Sequence, residues 1–506
     1  MVRISDPETV DLPPQASSSK VKVVDGTSCC HGARQCGQLS VRLADGANAL
    51  ADFAFDKLPM ELLAEIFKHA RPDNILDAHI KKYPTSLAQV CRYWRSVALG
   101  APTLWSNIYI MKYYTEKTRM AARISLERSK MCPLFLTWFS KEGQTKAEAQ
   151  EAIDDLIIPY ANRWQRITLI TDGEGVSDAL LAAMGPLDFQ ILQDIEISRP
   201  SGLPSPSGFT LCRNAPLLRR CQLRHISSFP LTPSNLVVFD CLFVLLEEET
   251  FNLDPLLEFL PHVAHSLERL RFGPPASDIL VTPRKSRITL QNLVSLLVKD
   301  SDDIMEHEFT PNLAFLAAFY PFNPDARKTA ERFHGFSAPK LQSIRFDGTS
   351  LLPLIALHHL PSLFPWLESA MFEYCNHELA FIGLLRPPQP PFLQNTAKYP
   401  PKDPKVEVPF PKLKELAISD IGNWPYLWAA IECRRENGDN SLRTVHLPNG
   451  GMTGGIMRHL TQWLPKQGIK FVLYEPGELM CTPPEFQDDF CNEELRLFRE
   501  IVDESE

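Results

Sequence analysis

The sequence predicts an α/β protein: a pair of short helices near the N-terminus, followed by an irregular solenoid of short strands and returns. Between residues 55 and 105, apolar residues recur at i, i+3, i+4 and i+7 spacing, the stripe of an amphipathic helix. From about residue 160 onward, a phrase of the form Leu-x-x-apolar-x-apolar returns twelve times, mostly at steps of 26 to 31 residues. The 43 prolines exceed the ordinary share of about 5% and favour many short elements over long helices.

The first helix is read from "FDKLPMELLAEIFKHARPDN". Asp56 is placed to cap it and Pro59 suits the first turn. Leu58, Leu62, Ile66 and Ala70 recur at four-residue steps, and Leu63 and Phe67 widen the stripe. The second is read from "TSLAQVCRYWRSVALGAPTLW" as one helix over 85–100. Its apolar side holds Leu87, Val90, Cys91, Trp94, Val97 and Ala98. Thr85 or Ser86 caps the start, Gly100 the end, Pro102 forbids continuation and Trp105 closes the segment. Two helices of about a dozen residues, joined by the polar stretch 71–84, bury too little surface to cover such stripes between themselves. Each Leu, Ile, Phe or Trp left wet forgoes about 1.5–3 kcal/mol. The surplus calls for another protein or the rest of this chain.

The stretches "LPMELLAEIF" and "LAQVCRYWRSVALGAPTLW" resemble an F-box in the wording of the F-box-like proteins numerous in mushroom-forming fungi. They share a Leu-Pro-x-Glu-Leu start, a Val-Cys-x-x-Trp-Arg helix and a closing Leu-Trp. In that family the helices dock on the small adaptor subunit of SCF-type cullin–RING ubiquitin ligases. The resemblance implies adaptor contacts at Leu58, Pro59, Leu62, Ile66, Phe67, Val90, Cys91 and Trp94, some of which serve the internal core instead. The linker "RPDNILDAHIKKYP" is longer than in the common pattern.

The recurring phrase appears as "WQRITL" at 164, "LQDIEI" at 192, "LRRCQL" at 218, "LVVFDC" at 236, "LERLRF" at 267 and "LVSLLV" at 293. It continues as "LAFLAA" at 313, "LQSIRF" at 341, "LESAMF" at 367, "LKELAI" at 413, "LRTVHL" at 442 and "IKFVLY" at 469. The period fits a degenerate leucine-rich repeat of one strand and one return, without the usual Asn after the strand. The step from 367 to 413 is stretched by a proline-rich insertion at 386–411, whose P-x-x-P spacing also suits a polyproline ligand. Alternate strand residues face outward, so Arg220, Arg269, Arg271 and Arg345 are expected to share one face. There they would take a carboxylate-rich or phosphorylated target, or stand as solvated residues paired with acids.

The expected order of domains is a disordered arm (1–52), the F-box-like helices (53–110), a helical connector (111–160), the leucine-rich-repeat-like solenoid (161–480) and an acidic cap or tail (481–506). A net charge of −9 argues against a nucleic-acid binder. No apolar run nears the roughly 20 residues that span a bilayer, and the N-terminus lacks a signal-peptide core. An intracellular protein of cytoplasm or nucleus is expected, with Cys91, Cys221, Cys241, Cys375 and Cys433 as thiols in apolar strings.

Enzymatic signals are weak. Cys29, Cys30, His31 and Cys36 lack the second ligand pair of a zinc site. "PNGGMTGGIMRHL" sets a Gly-rich turn before a helix, but Ile456 and Met457 stand where a phosphate loop needs Lys and Ser or Thr. His262 with His265 and His358 with His359 have no acidic partner at metalloenzyme spacing, and the carboxylates at 300–303 have no apolar frame. No catalytic residue and no cofactor is expected.

Overall fold

A computed structural model of the chain describes residues 58–71, 83–112, 115–140, 145–171, 174–199, 214–226, 235–242, 251–273, 279–280, 288–299, 308–319, 338–347, 364–373, 410–418, 424–448 and 454–474. It divides into two units, Met1–His69 and Ala70–Glu506. The terminal arm, the proline-rich insertion up to Pro409 and the acidic tail lie outside the described residues, as do Asp56, Cys375 and the Cys29–Cys36 cluster.

In the first unit, helix α1 (Met60–His69) begins where Pro59 offers its carbonyl to the Leu63 N–H at 3.1 Å. Proline has no N–H to leave unsatisfied there. Glu61 in the first turn and Lys68 and His69 in the last match the helix dipole.

The second unit opens with two helices where the periodicity predicts one, α2 (Tyr83–Val90) and α3 (Arg92–Gly100). The break is Cys91, whose backbone is extended (φ −153°, ψ 174°). Its carbonyl accepts from the Arg95 N–H at 3.0 Å and its thiol sulfur from the Trp94 N–H at 3.4 Å. A residue that caps a new helix must leave the old one, and the apolar spacing runs through the break unchanged. Arg95 Nε reaches back to the Ala88 carbonyl at 2.7 Å and fastens the two helices. The tight turn Pro102–Trp105 then buries Trp105, whose indole donates to the Ala98 carbonyl at 2.7 Å. The Arg128 guanidinium lies 4.3 Å above its ring.

A 14-stranded parallel sheet follows. Its first strands and helices are β1 (Asn107–Lys112), α4 (Glu116–Arg128), β2 (Leu134–Ser140), α5 (Lys146–Ala152), β3 (Trp164–Ile170), α6 (Glu174–Met184), β4 (Asp194–Ser198), β5 (Arg220–Arg224) and β6 (Val238–Leu242). Then come α7 (Asp254–Val263), β7 (Arg269–Gly273), β8 (Ser295–Lys299), β9 (Phe315–Phe319), β10 (Ser343–Asp347) and β11 (Ser369–Glu373). The last are β12 (Glu415–Ile418), α8 (Trp424–Glu436), β13 (Thr444–Pro448), α9 (Gly454–Lys466) and β14 (Lys470–Tyr474). Each strand pairs with its successor, and β1 and β14 leave the sheet open. All twelve repeats of the sequence phrase fall on strands β3 to β14.

The register carries through the sheet, with a shift at Leu134 and Phe135 where β2 meets β3. One row runs Ile108, Leu136, Ile167, Ile195, Cys221, Phe239, Leu270, Leu296, Leu316, Ile344, Ala370, Leu416, Val445 and Phe471. With Ile110, Trp138, Leu169, Ile197, Leu223, Cys241, Phe272, Val298, Phe372, Ile418 and Leu447 two residues on, it joins the buried sides of the helices in one core. Cys221 and Cys241 lie in that core, and burial, with Asp240 next to it, pushes the Cys241 thiol up. Cys91 departs from the expectation of a thiol within an apolar string, since it is exposed.

In five of the phrases the leading Leu closes a turn at short range. Leu218, Leu313, Leu341, Leu367 and Leu413 each donate an N–H to the carbonyl three residues earlier, at 3.1–3.2 Å. Pro216, Pro311, Pro339, Pro365 and Pro411 occupy the second position of these turns, where a fixed φ near −65° is an advantage. Just ahead of the leading Leu, polar side chains reach back to the segment that leads into the preceding strand. Asn235 donates to the Pro216 carbonyl (3.1 Å), Ser266 to Leu236 (2.9 Å), Asn292 to His265 (2.5 Å) and Asn312 to Gln291 (2.6 Å).

The sheet starts earlier than the phrase. Residues 111–160, expected to be a helical connector, hold α4 and α5 and also the end of β1 and all of β2. The β1 segment stretches the phrase by one residue, and β2 shows strict alternation of buried and half-buried side chains behind a turn that ends on Cys132 instead of a Leu.

Candidate functional site

Helix α1 carries two apolar edges. At about 100° per residue, Leu63 and Phe67 share one edge, and Leu62 and Ile66 share another about a quarter-turn away. The first edge is buried, with Phe67 only 2% exposed. The second is wet: Leu62 is 55% exposed, Ile66 is exposed too, and Pro59 precedes them on the same side. Leu58 is half-buried. Of the residues the F-box resemblance singles out on this unit, Phe67 is a core side chain, and Leu62 and Ile66 form an exposed apolar edge.

On the second unit, Val90 closes α2 with 60% of its surface exposed, and Cys91 follows it, exposed as well. Trp94 is half-buried, while Leu87, Val97 and Ala98 are buried. Sequence reasoning missed two exposed apolar side chains, Met60 and Leu99, which fall outside the i, i+4 stripe that guided the reading. The second unit is tied to its sheet near its start. Arg71 donates to the Tyr109 hydroxyl on β1 and lies 5.6 Å from its ring centre. Burial raises the Tyr109 phenol and Arg71 offsets part of that, so it accepts as a neutral group.

The face of the sheet opposite the helices begins as a ladder of charge. Arg166 reaches Asp194 through two nitrogens at 2.7 and 2.9 Å, Gln222 donates to Asp240 at 2.8 Å, and Arg271 lies 3.8 Å from Asp240. Arg220, Arg269, Arg271 and Arg345 do share this face, as strand alternation requires. They do not form one exposed basic patch. Arg220 is exposed and Arg269 half-buried, but Arg271 is buried against Asp240 and Arg345 is 2% exposed. In the row that holds Arg271 and Arg345, Leu297 and Ala317 stand between them, so three strand spacings, about 14 Å, separate the two.

Among the described residues, no group of three or more His, Cys, Asp or Glu side chains could hold a metal ion. None of the described helices is long and apolar enough to cross a membrane. His262 sits in the last turn of α7, and Gly454 and Gly455 open α9.

Compared with known protein families, residues 55–111 match the F-box-like family. Searched against curated proteins, the sequence has no match. The match covers α1, α2, α3 and the Trp105 turn, ending within β1. Residues 55–111 are an F-box-like domain, a module of protein–protein interaction.

Proposed function

We propose that the chain is a substrate-receptor subunit of an SCF-type cullin–RING ubiquitin ligase. The observation that supports this reading most is the wet apolar edge of Leu62 and Ile66 inside an F-box-like match. A helix whose Leu63 and Phe67 already serve a core has no structural use for a second apolar edge. Docking on the small adaptor gives it one, with Pro59, Val90 and Cys91 as further exposed contacts and Leu58 and Trp94 as half-buried ones.

On this reading the 14-stranded sheet is a degenerate leucine-rich-repeat-like solenoid that holds a target protein. Arg220 and Arg269 remain the accessible members of the arginine set for that contact. The receptor makes and breaks no bonds. It raises the concentration of a target lysine near a ubiquitin-charged enzyme carried elsewhere in the assembly.

The test is affinity purification of the full chain from a eukaryotic host. Recovery of the adaptor together with cullin supports the receptor reading. Adaptor without cullin indicates a scaffold that acts outside the ligase, and recovery of neither refutes both.

A further inference from the structure

The position just ahead of the leading Leu is not polar everywhere: it holds Leu217 before β5 and Trp366 before β11, both exposed. Just ahead of the leading Leu of β6, β7, β8 and β9 stand Asn235, Ser266, Asn292 and Asn312, each bonded to the segment that leads into the preceding strand. Before β11 the same position holds Trp366, which is 50% exposed. Tryptophan is large and apolar, and half of its surface here lies in water, so the local turn chemistry gives no reason for it. Positions that break a local rule without a structural gain are where function is expected.

Its surroundings are basic. The neighbouring turns hold Lys340 and Lys412, both exposed, at the equivalent position. Lys412 Nζ sits 3.6 Å over the indole centre, and Lys340 is drawn the other way, to Asn312 Oδ1 at 2.7 Å. Two residues on, exposed Lys414 and Arg443 lie along the same edge, with Glu368 as the acid that pairs with Lys414 at 2.6 Å. The strands are in register, so these side chains repeat about every 4.8 Å. An ammonium already seated on an aromatic face presents its remaining donors outward at little further entropic cost.

We infer that the turns before β10, β11 and β12 form a docking edge for an acidic segment of a partner protein, with Trp366 as its apolar anchor. Carboxylates meet Lys340 and Lys412, and an aliphatic or proline residue between them covers the exposed part of the indole. A nucleic acid would also offer anions and flat rings. It fits less well, because Glu368 lies inside the edge and the chain as a whole carries −9. This site is separate from the adaptor contact and stands whether or not the chain assembles with a ligase.

The test uses the full chain and its Trp366→Asn and Lys412→Gln variants. Asparagine is the residue that serves this position before β8 and β9, so Trp366→Asn restores the turn rule. The probes are a fluorescein-labelled Glu-Glu-Pro-Leu-Glu-Glu peptide, its lysine counterpart and an oligo(dT), with fluorescence anisotropy, thermal unfolding and adaptor capture read on the same samples. The acidic peptide should bind the parent in a salt-sensitive way. Each variant should lose at least about tenfold in affinity, with the unfolding midpoint of Trp366→Asn equal to or above the parent's and adaptor capture unchanged. No binding of the acidic peptide to the parent, full binding by Trp366→Asn, or tighter binding of oligo(dT) would each overturn the inference. A lower midpoint for Trp366→Asn would overturn it too, by showing the indole to be a packing residue.

Discussion

Leu62 and Phe67 stand five residues apart on one helix and have opposite fates, and that contrast can be tested directly. Leu62→Asp or Ile66→Asp changes a wet side chain, so stability should move by no more than about 0.5 kcal/mol. Adaptor capture should nevertheless be lost, because a carboxylate would be trapped without a partner in an apolar contact. Phe67→Ala removes a buried ring and should cost about 3–5 kcal/mol, weakening capture only through unfolding. Urea titration beside a pull-down separates the two, and retained capture by both aspartate variants would remove this edge from the site. The stripe was legible in the sequence, but not which edge stays wet, because periodicity records apolar residues and not what covers them. His446 supplies a second test at this scale. It is buried on β13, its nearest charged partner being Glu415 at 3.9 Å, and burial lowers its pKa while Glu415 raises and Lys470 further lowers it. Above the usual imidazole value of about 6.5 the ring is neutral in both states. As pH falls through that value the unfolded chain takes up the proton first, so this histidine subtracts stability on the acid side. The urea midpoint should fall between pH 8 and pH 5.5, and His446→Leu should shrink that fall. An undiminished fall in the variant would place the acid sensitivity elsewhere.

Elements here are made by turns more than by intrinsic propensity. The phrase Leu-x-x-apolar-x-apolar found twelve of the fourteen strands, because each Leu that follows a turn drops into the core and sets the alternation behind it. It missed β1, where the spacing is one residue longer, and β2, where the spacing is also longer and Cys132, not a Leu, ends the turn. The helical pair was legible as apolar surface and misread as one helix, since a cysteine cap carries none of the signal that Ser, Thr, Asp or Asn would. Asparagine was looked for after the strand, whereas Asn235, Asn292 and Asn312 stand before it and bond backward. That arrangement predicts a modest and local cost. Asn292→Ala and Asn312→Ala should each destabilise by about 0.5–1.5 kcal/mol, the usual net worth of such a bond. Asn312 bonds to the Gln291 carbonyl in the turn that holds Asn292, so the sites are coupled, and the double variant should depart from the sum by about 0.5 kcal/mol or more, measured by equilibrium unfolding. A neutral double variant would show that water replaces the ladder without loss.

At the scale of the whole molecule, sequential order decides what can be removed. Every strand of the sheet meets only its predecessor and its successor, so a long excursion between two strands need not disturb the pairing around it. The proline-rich insertion is such an excursion. Ser369 on β11 pairs directly with Glu415 on β12 although 46 residues separate them in sequence. Its far end is pinned: Phe410 is fully buried, and its carbonyl accepts from Arg434 Nη2 at 3.0 Å. Arg434 is itself buried, paired with Asp439 and bonded to Ser441 Oγ at 3.1 Å, so it ties the entry of β12 to the end of α8. The fixed part of the segment therefore includes Phe410, and a cut must end before it. Deleting 387–408 and joining the ends should shift the melting temperature by only a few degrees, because the entropy of closing a loop changes slowly with its length. Unfolding should keep the cooperativity of the parent. A broadened or split transition in the shortened chain, followed by circular dichroism, would show that residues 387–408 pack as part of the sheet's support and not as an insertion.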